Sequence, residues 1–162
     1  MICGFKQKFK DETPTYFAEK IRSRFTDPFD FISLLDNINY NDWFYFNYQR
    51  NIEALCRSKI TTIREDKNDR WKVGMRLQPS YNVRTKKQFQ FAPDIIVKGI
   101  QTIKIQYSTA QTKWVIVDGR VLSDFEVKTL ATNDGFKNVR QFFEWFNKDF
   151  KGKIIHFTDL KY

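Results

Sequence analysis

Lysine, threonine and arginine stand at positions 59, 62 and 64, inside the run Ser58 to Gly74, SKITTIREDKNDRWKVG. No other stretch of the chain gathers so many reactive or phosphate-binding groups. Thr61, Thr62 and Ile63 are β-branched and favour extended backbone. Asp66-Lys67-Asn68-Asp69 has the composition of a turn. On a strand, side chains alternate, so Thr62 and Arg64 share one face and Thr61 and Ile63 the other. Lys59 has the wrong parity to join Thr62 and reaches that face only from the strand entrance, through a turn or bulge. An amine, a hydroxyl and a guanidinium then surround one point. The competing reading of the same residues is a solvated strand face.

Other chemistries find little support. His156 is the single histidine, set in an apolar run, and Cys3 and Cys56 are the only cysteines. A zinc site would need all three and a further ligand, and nothing near His156 resembles a catalytic triad. No metal and no cofactor are expected, and the thiols are expected to be reduced. There is no signal peptide and no apolar run long enough to span a membrane, so the expectation is a cytoplasmic protein with no membrane partner.

A length of 162 residues suits one domain with a real core. The 17 Phe, 7 Tyr and 4 Trp argue against disorder. A net charge of +9 favours an anionic partner, nucleic acid being the commonest. Arg84, Lys86 and Lys87 form a basic turn close to Tyr81, Phe89 and Phe91, a mixture suited to single-stranded nucleic acid; a solvated hairpin tip is the other reading. Residues 28 to 57 are an aromatic-rich insertion. The segment 29–48 within it is a candidate surface for a protein partner, although such blocks more often pack onto their own domain.

The positioning elements follow from periodicity. Ile2 to Phe9 reads as a strand, and Thr13-Pro14 as the start of a helix carrying Phe17, Ile21 and Phe25 on one stripe. Residues 94 to 107 alternate as one long strand, bent at Gly99. Trp114 to Leu122 reads as a hairpin with an Asp118-Gly119 turn. Ser123 and Glu126 make a capping box, with Gly135 as the glycine that closes that helix. A second helix starts at Asn138, carries Val139, Phe142, Phe143, Phe146 and Phe150, and closes at Lys151-Gly152. A strand over 153 to 160 ends the chain.

Lys59-x-x-Thr62-x-Arg64, Trp71-x-x-Gly74 and Asn133-Asp134-Gly135-Phe136, in this order after a helix bearing Phe17 and Ile21, resemble the ASCH domain family. Phage and gut-bacterial members of that family carry the same KIxTIRED and NDGF wording. The resemblance touches most of the chain outside 28–57. It implies an α+β fold, a PUA-like β-barrel with flanking helices, in which 60–64, 75–82, 94–107, 114–117 and 153–160 are strands of one barrel-like sheet. It implies a cleft facing RNA or a modified nucleoside, lined by Lys59, Thr62, Arg64, Glu65, Trp71 and Lys72. One branch of the family hydrolyses N4-acetylcytidine with a lysine, a threonine and a carboxylate. These fall on Lys59, Thr62 and Asp134, where that branch has glutamate. Both Lys59 and Thr62 are then expected to line a wet cleft.

Overall fold

The computed structural model describes residues 1–24, 58–108 and 112–162. The aromatic block at 28–57 lies outside them. Two sheets share one hydrophobic core. In the four-stranded sheet, β1 (Ile2–Gly4) runs parallel to β3 (Arg76–Tyr81), and β3 also pairs antiparallel with β4 (Phe89–Gln90) and β5 (Ile95–Ile96). The five-stranded sheet is wholly antiparallel. It runs in the order β2 (Thr61–Arg64), β9 (Phe150–His156), β6 (Gly99–Tyr107), β7 (Lys113–Val117) and β8 (Arg120–Val121).

The chain is thus α+β, with two sheets among the described residues and no closed barrel. The expected strand over 94–107 is divided between these sheets. Val97 N–H still donates to Met75 O, while Lys98 N–H already donates to His156 O. The crossing falls just before Gly99, the position of the expected bend.

Among the described residues three helices flank the sheets: α1 (Phe17–Arg22), α2 (Asp124–Asn133) and α3 (Val139–Trp145). Helix α1 begins later than Thr13-Pro14 suggests. Asp11 Oδ1 accepts from both the N–H and the hydroxyl of Thr13. Pro14 bridges Lys8, and Tyr16 precedes the helix at φ 53°. Likewise the expected Ile2–Phe9 strand is continuous only over Ile2–Gly4, with Lys8 making an isolated bridge.

Helix α2 follows its sequence signals: Ser123 and Glu126 form the full capping box, and Gly135 closes the helix at φ 91°. The Asp118-Gly119 turn has positive φ at both residues, as a tight hairpin of right-handed twist requires. Helix α3 starts on its Asn138 cap, which accepts from Gln141 N–H. It stops at Trp145, before the expected end, and Lys151-Gly152 lies inside β9. Phe150 belongs to the strand, yet its ring still packs 4.9 Å from that of Phe146, which is why one stripe spans both elements.

Candidate functional site

Lys59 enters the site from a segment tied to two helices. Its N–H donates to Lys20 O in α1 (3.0 Å), and Ile60 N–H donates to Asn133 O at the end of α2 (2.9 Å). The Lys59 ammonium donates to both Asp134 Oδ1 and the Asp134 carbonyl. Asp134 Oδ1 also accepts Ile63 N–H at 3.3 Å, on the edge strand of its sheet. The two side chains are 2% and 5% exposed. The Phe17 ring centre lies 4.6 Å from Lys59 Nζ.

A second amine stands beside the first. Lys20 Nζ donates to Gly135 O at 2.6 Å, and Lys20 is itself buried. The Arg64 guanidinium lies 4.8 Å from the Phe5 ring centre. Burial pushes the Lys59 amine below its ordinary pKa. Asp134 opposes that shift and Arg64 adds to it. Burial raises the Asp134 carboxyl, against the attraction of Lys59. Both shifts weaken the charge-separated form of the pair relative to exposed groups. Lys20 is lowered from 10.5 to about 8, by burial first and by Lys59 second. The Cys3 thiol is raised by burial, with Arg64 and Lys59 opposing.

The structure therefore brings together Lys59 and Asp134, 75 positions apart. Thr62 is 3% exposed, and no hydrogen bond joins its hydroxyl to Lys59 or Asp134 among the described residues. It is the next residue, Ile63, that contacts Asp134, through its backbone. The wet cleft expected around Lys59 and Thr62 is corrected: both are packed, because α1 and the end of α2 close over the entrance of β2.

The remaining candidates are dispersed. Glu65 pairs with Lys67 at the surface (3.3 Å), and Lys72 pairs with Asp69. Trp71 is in the core, its N–H donating to Asp66 Oδ2 at 3.1 Å. Tyr81 is also in the core, with its ring 4.6 Å from that of Phe91, and offers no open face for stacking. Phe89 is 48% exposed, and Arg84, Lys86 and Lys87 occupy an exposed loop beside it.

Sequence reasoning missed Lys20 and Cys3. A signal for Lys20 was present: it lies three residues after Phe17, on the same side of the helix. Nothing local marks Cys3, which reaches Arg64 only through the tertiary fold. No helix among the described residues is long and apolar enough to cross a membrane, and no group of His, Cys, Asp or Glu side chains among them could hold a metal ion.

A buried amine hydrogen-bonded to a carboxylate, with a guanidinium and a second amine nearby, can hold an anionic or carbonyl oxygen. With its pKa lowered, it can also take up a proton. No family model matches the chain, and no curated protein or solved structure is significantly similar to it.

Proposed function

We propose that the chain is an ASCH-type domain on a PUA-like frame, taking RNA or a modified nucleoside at the partly exposed Arg64 end of β2, next to the packed Lys59 and Thr62. The observation that carries this reading is the Lys59–Asp134 contact. It joins the two positions on which the lysine and carboxylate of the amidohydrolase branch fall, Asp134 standing where that branch has glutamate. The passage of one chain from β5 into β6, and the core common to both sheets, support the barrel frame. The test is a titration of ¹⁵N-labelled protein with cytidine, N4-acetylcytidine and a short RNA. Amide shifts concentrated at Thr61 to Arg64 are the expected result, reduced in Arg64→Met. Shifts confined elsewhere, or none with any ligand, reject the reading.

A second reading, hydrolysis of an N4-acylated cytidine, is favoured by the downward push on Lys59. Neutral Lys59 takes the hydroxyl proton as Thr62 Oγ1 attacks the acyl carbonyl. The C–N4 bond then breaks, and N4 leaves with the proton that Lys59 returns. Water cleaves the Thr62 ester, releasing the acid and restoring the hydroxyl. Asp134 orients the amine throughout. For this the Thr62 side chain must turn toward Lys59. Chromatography of wild type and Thr62→Ala with N4-acetylcytidine tests the step: acetate release by wild type alone supports it, and no release by wild type rejects it. A protein partner docking on residues 29–48 concerns the segment outside the described residues.

A further inference from the structure

Register divides the side chains of the five-stranded sheet between two faces. Ile63, Ile154, Ile103, Ile105, Val115 and Val117 share one face, and all are buried. On the opposite face, Lys151 of β9 stands directly across from Lys104 of β6. Both are exposed, and neither forms an ion pair among the described residues. Like charges directly opposite one another destabilise a strand pair. Gln106 pairs with Trp114, so this tryptophan, 43% exposed, lies diagonally beside Lys104. Arg64 and Lys153 lie opposite one another on the same face. Lys153 is held by Asp66 and Asp69, which leaves Lys104 and Lys151 as the unneutralised pair.

We propose that this face, centred on Lys104, Lys151 and Trp114, binds single-stranded RNA, the two lysines taking backbone phosphates and the Trp114 ring a base. The inference rests on the nucleic-acid reading above for its choice of partner. It places the strand on β6, β7 and β9, which that reading does not use. Two facing cations beside an exposed indole match the two needs of a single strand, charge along the backbone and an aromatic surface for bases. An anionic membrane would instead need a continuous apolar stripe next to the lysines. Here the apolar row beside Lys104 is short, made of Trp114, Ile116 and Val121, and along β6 Lys104 is flanked by exposed Thr102 and Gln106.

The test is anisotropy of a labelled oligouridylate over a range of salt, with melting temperatures measured in parallel. Lys104→Glu places an opposite charge across from Lys151. It should raise the melting temperature while weakening binding about 10-fold and reducing the log–log salt slope by roughly 0.7 for each phosphate no longer neutralised. Trp114→Ala should weaken binding about 10-fold with the slope unchanged. Charge reversal of Lys128, exposed on α2, should change little. Face variants that bind like wild type overturn the inference and leave RNA binding elsewhere intact. A protein that binds N4-acetylcytidine at β2 and no oligonucleotide overturns it and leaves the nucleoside reading standing. Binding to phosphatidylserine vesicles through the same residues, without oligonucleotide binding, overturns it in favour of a membrane.

Discussion

Lys20 and Lys59 donate to consecutive carbonyls at the end of α2, Lys20 to Gly135 and Lys59 to Asp134. Helix α2 has no basic residue in its own last turn. Its partial negative end is met by ammonium groups from α1 and from the entrance to β2. The same hydrogen bonds that make the candidate site therefore also fasten two helices to a strand, and substitutions there must be judged for stability as well as function.

Lys59→Met should destabilise the domain by about 3–5 kcal/mol, because Asp134 is left buried without its partner. Asp134→Leu should cost a similar amount. The double variant should cost less than the sum, since no charge is stranded. Urea unfolding of all four proteins closes the cycle, and additive losses would show that the pair is not coupled.

Gly135 and Gly119 both have positive φ, but only one is crowded. A Cβ on Gly135 would lie 3.1 Å from the Phe17 ring and 3.3 Å from Lys59 Cδ, whereas Gly119 has nothing within 4 Å. Alanine at either site incurs the left-handed penalty of about 1–2 kcal/mol. At Gly135 it should cost roughly 1–3 kcal/mol more. Equal losses in a denaturant titration would refute the crowding.

The Lys20 amine, at about 8 in the fold against an ordinary 10.5, sheds its proton earlier when folded than when unfolded. In that window the unfolded chain binds more protons, so stability should rise with pH from about 8 to 10.5. Lys20→Met should flatten this part of the profile. An identical slope in both proteins, followed by chemical denaturation, would remove Lys20 as its source.

At the other end of α2, Glu126 is held at about 2, first by Arg120 and then by the N–H and hydroxyl of Ser123. Its contribution is complete above the ordinary 4.5 and should be lost as pH falls through about 2. Thermal melts of Glu126→Gln should be less acid-sensitive over that range than those of wild type. Matching acid sensitivities would count against the cap as an electrostatic device.

Local signals are readable wherever a few neighbouring residues settle the geometry. Ser123 with Glu126, Asn138 with Gln141, and Asp118-Gly119 each carry their own hydrogen bonds or dihedral needs, and each appears where expected. The Lys59–Asp134 contact is legible only through a resemblance, because nothing local links residues so far apart. What fails is tertiary. Alternation over 94–107 does not reveal that the strand changes sheets, since both halves keep the same period. The apolar stripe through Phe150 does not reveal that its last member stands on a strand. Nor does the run around Lys59 reveal its burial, which depends on α1 and α2 packing over it.

The crossing between Val97 and Lys98 makes two successive amides report on two different sheets, Val97 N–H through Met75 and Lys98 N–H through His156. Native-state hydrogen exchange at this one peptide step therefore reads the cooperativity of the whole domain. Equal protection means that the sheets open as a single unit, and unequal protection ranks which of them loosens first.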